Sequence, residues 1–540
     1  MAAITGQQVG EQMKSAILLI MLALLVLVGG LDGAKNWQTA TAATAVSPNL
    51  CQPLDPPTGP TISVSTVAEL ENAVNNATSG QTILIADGTY NLNGVYLRLD
   101  TPNVTLRSAS GSREAVILDG NYVTTEIIQI VASNVTIADI TLREAYYHPI
   151  HVMTTDAGDT LNTIIYNVHI IDPGEQAIKI NPAADGTYPD NGLIACSHIE
   201  LTDAGRPSIR NNCYTGGIDA HQAQGWTVRD NLIEGFWCDN GLSEHAVHFW
   251  RGSRDTLVER NVLNNNARGV GFGLVTSGEA RTYADNVCPA AGGSYIDHYD
   301  GVIRNNFVFA NRSALFGSEY GFDCGICLWQ ACGAQALNNT VVSTQAPFSS
   351  IEWRFDNTDV VITNNLVSHN LRDRGGTAVV TNNLQYAPLT WFVDGGNGDL
   401  HLRDTAVSAI DQAVSLAEVT DDVDGDGRPY GAAPDIGADE WTPALQLSGV
   451  PGDQTIHLTW TVDAAALDAW QISYSGPAGD QPSPINISDE TTRTYALTGL
   501  TNYTPYTVTL NAMLAGSPIL TDMVTIMPTD ILLYLPVVEK

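Results

Sequence analysis

Basic side chains are scarce in this 540-residue chain, with 24 lysines and arginines against 58 acids and a formal net charge of −34. That deficit argues against nucleic acid and anionic membrane as partners, because no basic field exists to attract a polyanion. An acidic polysaccharide could bind only at a locally basic groove. Arg229, Arg251, Arg254, Arg260, Arg268 and Arg281 fall close enough together to line one, or else to be solvated edge residues. Lysine is rarest of all: apart from Lys14, Lys35 and Lys540, the chain holds only Lys179. Long apolar runs are also missing. The run Ala16 to Val28 suits a signal h-region and is short for a bilayer span. With Ala43-Thr44-Ala45 as a cleavage pattern, residues 1–45 read as a leader, followed by a linker at 46–60. An uncleaved leader would be the one membrane attachment. The leucine spacing of a horseshoe repeat is absent, and Cys324, Cys327 and Cys332 have no second CxxC partner for a zinc knuckle. The eight cysteines suit an oxidising compartment, so the protein is expected to be secreted or at the cell surface. Cys196 and Cys213 bracket one insertion and Cys238 and Cys288 another, so each pair could staple a loop, although spacing does not fix pairing.

What the chain does have is self-similarity. Seven stretches superimpose: Pro-Ile-His151-Val-Met153, Ala-Ile-Lys179-Ile-Asn181, Gly-Ile-Asp219-Ala-His221, Ala-Val-His248-Phe-Trp250, Gly-Val-Gly271-Phe-Gly273, Gly-Ile-Cys327-Leu-Trp329 and Ser-Ile-Glu352-Trp-Arg354. Each opens on a small residue or proline, then a β-branched one, and alternates with period two, which sends successive side chains to opposite faces of a strand. Stacked coil on coil, the third and fifth positions become two outward columns. A second unit, apolar-x-x-Asn-x-apolar, recurs at Asn231, Asn261, Asn306, Asn365 and Asn383, with Leu337-Asn-Asn-Thr340-Val in the same series. Asparagine tolerates left-handed backbone, so it suits the same bend on every coil. The pattern predicts an all-β chain with a right-handed parallel β-helix over 61–441. Thr66 to Val74, with Glu69 three residues after the threonine, predicts a helix capping the first coil.

At the far end, Asp422, Asp424 and Asp426 alternate with glycine as in a calcium loop, although the acid an EF-hand needs is missing. A tight acidic turn is the other reading; no cofactor is required by the sequence, and calcium is the one it leaves open. From 444 to 528 the strands Ile456–Trp460, Ala469–Tyr474, Thr494–Leu497 and Tyr506–Leu510 resemble a fibronectin type III β-sandwich, with Trp460 in its core and Leu497-Thr-Gly-Leu500 before Tyr506 as its tyrosine corner. Residues 529–540 form a short apolar tail.

The coils, cap and columns together resemble the pectin-lyase-like right-handed β-helices. Within that group Glu175-Gln-Ala-Ile-Lys179-Ile is loosely similar to a motif of the alginate lyase and chondroitinase B family. That resemblance implies a lyase acting on a uronic-acid polysaccharide. His221 and Trp250 stand where the family's lysine and arginine belong, with Arg251 one residue out of phase, and the family's calcium carboxylates have no clear counterparts.

The columns suit β-elimination on their own terms. Adjacent coils lie ~4.8 Å apart, so Lys179, Asp219 and His248 occupy successive rungs, with His221 beside Asp219. His221 and His248 are expected to bracket the sugar as an acid/base pair with Asp219 orienting one imidazole, and Lys179 or Arg251 to neutralise the uronate. His151, Asn181, Trp250, Trp329, Glu352 and Arg354 are candidate substrate contacts, the tryptophans as flat faces for sugar rings. An outward Lys179 would be exposed, and Lys179→Ala would change stability little. A metal site from His151, Asp219, His221 and His248 has only scattered ligands. Hydrolysis needs carboxyls ~5–9.5 Å apart, whereas Asp219 and Glu352 are four strands or roughly 19 Å apart, so Glu244 or Asp297 would have to serve. Asp297, in Tyr295-Ile-Asp297-His298, has turn formation as its simpler reading. Three readings remain open: a secreted monomeric polysaccharide lyase, a non-catalytic glycan-binding or adhesive β-helix, and a glycoside hydrolase.

Overall fold

The computed structural model describes residues 50–183, 185–285, 288, 294–463, 467–476, 479–480 and 484–530. The expected leader and most of the apolar tail lie outside them. Among the described residues no helix is long and apolar enough to cross a membrane.

Three long parallel sheets wind around one apolar core. One has ten strands, running Leu97–Leu99, Glu126–Ile130, His148–Met153, Gln176–Asn181, Gly216–His221, Val247–Trp250, Arg268–Phe272, Cys324–Trp329, Ser349–Arg354 and Leu371–Arg374. A second ten-stranded sheet runs from Gly88–Asn91 to Leu366–Val367, and a fourteen-stranded sheet reaches from Thr61–Val64 to Thr377–Thr381. This is the parallel β-helix. The β-branched positions do turn inward: Ile150, Ile178, Ile218, Val247, Val270, Ile326 and Ile351 are all buried.

The first coil is lidded by the helix Val67–Asn75, which buries Leu70, Ala73 and Val74. Its start is satisfied reciprocally: Glu69 N donates to Thr66 Oγ1 (3.2 Å), and the Glu69 carboxylate accepts from Ser65 N (2.8 Å). Residues 50–60 are less of a linker than their composition suggests. Cys51 is disulfide-bonded to Cys196, the Tyr166 hydroxyl donates to Gln52 O (2.5 Å), and Arg107 donates to Asp55 O (3.0 Å).

The repeated asparagines do something other than bend the chain. Asn231, Asn261, Asn306, Asn339, Asn365 and Asn383 form a ladder in which each side-chain amide donates to the next oxygen at 2.8–3.0 Å. The left-handed residue is the one before: Asp230, Arg260, Asn305, Asn338, Asn364 and Asn382 have φ between 48° and 58°. Of these, Asn305, Asn338, Asn364 and Asn382 donate to backbone oxygens of Asp421, Asp435, Val414 and Gln412, tying the closing segment down. Asn306 also donates to Val258 O (2.9 Å) and accepts from Asn261 N (3.0 Å). Asn306→Ala should therefore cost about 3 kcal/mol, since each buried group left unpaired costs roughly 1–3 kcal/mol. Asn383→Ala, at the half-buried end of the ladder, should cost less; thermal unfolding of both variants checks this.

From Ala444 to Ile526 the chain forms two antiparallel sheets, of three and five strands, around Trp460, Trp470, Leu497, Tyr506 and Val508. The Tyr506 hydroxyl accepts from Thr501 N at 3.1 Å, five residues upstream.

Candidate functional site

The ten-stranded sheet beginning at Leu97 carries the chemistry. Its register joins His151 to Lys179, Lys179 to Asp219, Asp219 to His248, His248 to Gly271, Gly271 to Cys327 and Cys327 to Glu352. The column continues to Gln129 and Arg98 at one end and Arg372 at the other. In the fifth-position column Met153 pairs Asn181, His221 pairs Trp250 and Trp329 pairs Arg354.

The column points away from the core, yet it is covered. Lys179 is 8% exposed, Asp219 1%, and His248, Cys327 and Glu352 are fully buried. The cover comes from segments between strands. His245, just before Val247–Trp250, packs its ring against His248 (4.3 Å between centroids) and Trp329 (5.7 Å). Tyr214, just before Gly216–His221, lies over Lys179.

Lys179, Tyr214, Asp219 and His221 form one cluster. The Lys179 ammonium is ion-paired with Asp219, donates to the Tyr214 hydroxyl (3.2 Å) and lies 3.1 Å from His221 Nε2. Asp219 Oδ1 accepts from Trp250 Nε1 (2.8 Å), and its other oxygen lies 3.4 Å from His221 Nε2. Burial alone would lower the Lys179 pKa, but Asp219 and Tyr214 outweigh it and hold the ammonium above its usual value. Burial opposes ionisation of Asp219 as well, yet Lys179 and His221 keep its carboxylate well below the ordinary range. His221 is lowered, mainly by burial and further by the Lys179 and Arg251 charges. Burial and the Asp219 charge raise the Tyr214 phenol. At neutral pH the cluster is thus an ion pair flanked by a neutral imidazole and a neutral phenol. Arg251, beside Trp250, stacks its guanidinium on that ring at 4.5 Å and meets no carboxylate among the described residues. Its backbone N–H donates to Asp297 Oδ1 (2.8 Å), while Asp297 Oδ2 accepts from Leu274 N and Val275 N. Asp297 thus shapes a turn that seats Arg251.

Other expected contacts are spoken for. His248 is sealed beneath Trp250, the rings parallel within 8° at 5.2 Å, so it cannot bracket a sugar with His221. Trp250 and Trp329 are buried and offer no open stacking face; Trp329 Nε1 donates to Glu352 (2.6 Å). Glu352 also accepts from Ser349 and Arg374, so it is no partner for Asp219 in hydrolysis. His151, on the rung beside Lys179, has both ring nitrogens engaged by Glu126 (2.8 Å) and Asn181 (2.7 Å). The four residues His151, Asp219, His221 and His248 do not converge as a ligand set. Arg354 stacks on Phe355 and has no ion pair among the described residues. The basic groove is smaller than composition suggested: Arg229, Arg254, Arg260, Arg268 and Arg281 are each ion-paired with aspartates, leaving Arg251.

The cysteines pair as 51–196, 213–238, 288–332 and 324–327, not within the bracketing pairs, because Cys213 and Cys238 face each other across two neighbouring loops. Asp422, Asp424 and Asp426 lie in a tight turn. Asp422 takes the N–H groups of Asp424, Asp426 and Glu440, and Asp424 bonds His401 (2.8 Å). Sequence reasoning missed Tyr214 and His245, which lie outside the repeat; the cysteine next to Tyr214 and the Glu244-His245 pair before His248 were the available signals.

No family model matches the chain, and no curated protein matches it by sequence. Among solved structures, an alginate lyase from Paenibacillus sp. strain FPU-7 is similar at 18% identity, covering 61% of this chain and 98% of that one, with a TM-score of 0.37. A PL6 family polysaccharide lyase from Pseudopedobacter saltans is similar at 11% identity, covering 71% and 99%, with a TM-score of 0.37. Likeness at this level assigns neither a residue nor an activity to the chain.

Proposed function

We propose that this chain is an exported carbohydrate-active protein that cleaves a uronic-acid polysaccharide by β-elimination at the cluster of Lys179, Tyr214, His221 and Arg251. One observation carries the reading: a single buried ammonium touches both a neutral imidazole and a neutral phenol, and an arginine that meets no carboxylate among the described residues stands on the adjoining rung. Arg251 neutralises the uronate carboxylate, which acidifies the adjacent C–H. With the Lys179 hydrogens directed to Asp219 and Tyr214, the His221 hydrogen stands on Nε2 toward Asp219 Oδ2 (3.4 Å) and the ring takes the substrate proton through Nδ1, the Asp219 charge stabilising the imidazolium. The electron pair expels the glycosidic oxygen, which takes the Tyr214 proton, because that hydroxyl already accepts from Lys179 and can turn its hydrogen outward. The chain end left behind is unsaturated, and solvent returns the proton from His221 to Tyr214.

Four disulfides support an oxidising destination, secreted or at the cell surface. The domain limits of 61–441 for the β-helix and 444–528 for a fibronectin type III module belong to the same proposal; the contact from the Tyr506 hydroxyl to Thr501 supports the second.

The second reading is glycan binding without turnover, favoured by the burial of most of the column. Incubation with alginate, pectate and glycosaminoglycans, read by the ultraviolet absorbance of the unsaturated uronate, separates the two. Product from at least one polymer is the expected result. Binding to these polymers with no absorbance from any of them would replace the lyase reading with the second.

A further inference from the structure

We propose that Glu244, His245 and His248 form a buried site for a first-row transition-metal dication, zinc being the best fit, beneath the candidate groove. Each residue offers one ligand atom, and the three atoms lie within 4.8 Å of one another. All three are unsatisfied: Glu244 Oε2, both ring nitrogens of His245 and His248 Nδ1 are buried without a hydrogen-bond partner among the described residues. Leaving one such group unpaired costs roughly 1–3 kcal/mol, so several meeting at one point call for a shared partner. The ring of His248 is already set for ligation. Its Nε2 faces Gly273 O at 3.4 Å, which places the hydrogen there and leaves a lone pair on Nδ1. His248 Nδ1 and Glu244 Oε2 are 3.2 Å apart yet not aligned as a hydrogen bond. Two ligands bound ~2.0–2.1 Å from a tetrahedral zinc would stand about 3.3 Å apart.

The fold makes room for this pair. A Cβ at Gly271 would fall 2.5 Å from His245 Nε2, and one at Gly216 would fall 2.9 Å from Glu244 Cβ. The gap that Gly271 leaves in the column is therefore where the His245 ring sits. Two imidazoles and a carboxylate suit zinc and its neighbours, whereas calcium prefers an all-oxygen shell. The Cys324 and Cys327 sulfurs also lie near His245, but their disulfide leaves no thiolate to compete. Another group, His169, His198 and Glu200, lacks this signature: His169 already bonds Glu114 and Glu200, and His198 bonds Glu234. An ion at His248 would stand close to Asp219, whose Oδ1 is 3.6 Å from Nδ1. The site does not depend on the lyase reading.

The test is calorimetric titration of the EDTA-treated full chain, purified without a histidine tag, with zinc chloride. Cobalt absorption reports the geometry. The wild type should take up an equivalent that raises its thermal midpoint. That equivalent should weaken at least a hundredfold in His245→Ala and in the isosteric Glu244→Gln, and survive in His198→Ala. Glu244→Gln guards against misfolding, because its side chain is partly exposed. No uptake of zinc or cobalt by the wild type would overturn the proposal, leaving a bridging water as the shared partner. Uptake lost in His198→Ala but unchanged in Glu244→Gln would overturn it equally.

Discussion

His221→Ala is expected to lower turnover on the cleaved polymer by about 10²–10⁴-fold, the usual contribution of a positioned general base. Folding should be nearly unaffected, because the ring sits at the rim and is the only partly exposed member of the Asp219 network besides Tyr214. Tyr214→Phe should show a loss of similar size, since it keeps the ring over Lys179 and removes the hydroxyl that carries the proton and accepts from Lys179. The pH profile separates the two roles. A base works when deprotonated, and burial with the Lys179 and Arg251 charges lowers the His221 pKa below 6.5. The acid limb of kcat/KM should therefore fall below 6.5, and Arg251→Ala, by removing one of those charges, should move it upward. His248→Ala is the contrasting variant. Its ring is sealed under Trp250, so any loss should track disturbed packing or metal affinity and should not delete a titrating limb. If His221→Ala and Tyr214→Phe both keep full activity on a polymer the wild type cleaves, the cluster is not the reacting site.

The contrast between these two histidines marks how far the sequence was legible. Period-two alternation fixes which residues share a rung, because it is a property of the strand itself, and every pairing expected from His151 to Glu352 matches the register. The cap helix was readable for the same reason, its threonine and glutamate being a local device. Solvent access was not readable, because it is decided by segments that do not repeat. The Glu244-His245 stretch buries His248, and a loop held by Cys213–Cys238 brings Tyr214 onto Lys179. The asparagines show a finer limit. Residue type correctly marked a recurring bend, but the ladder and the left-handed backbone fall on neighbouring positions, and composition at a bend does not say which residue takes which task.

Lys179 itself is the second large effect, and here the expectation for an exposed residue reverses. Lys179→Met should destabilise the β-helix by about 3–5 kcal/mol, the range for removing one partner of a buried ion pair. The methionine nearly conserves volume, so the loss would come from charge: Asp219 would remain buried with Trp250, His221 and, at 3.6 Å, His248 as its close polar partners and no lysine charge. Adding Asp219→Asn removes that stranded charge and keeps an acceptor for Trp250 Nε1. The double variant should therefore recover part of the stability lost in Lys179→Met, a coupling that independent sites would not show. The pH dependence has a defined sign. Lys179 is raised above 10.5 in the fold, so its contribution is full below 10.5 and is lost as pH climbs through the folded value. Asp219 is lowered below 3.8, so its contribution is full above 3.8 and is lost as pH falls through the folded value. The difference between wild type and Lys179→Met in thermal unfolding should be largest between neutral pH and 10.5, shrink above that as Lys179 loses its proton, and shrink as pH falls, because without Lys179 burial raises the Asp219 carboxyl and lets it take a proton. A Lys179→Met protein as stable as wild type at neutral pH would mean that water reaches the pair and screens it. The neutral state of His221 would then lose one of its physical causes.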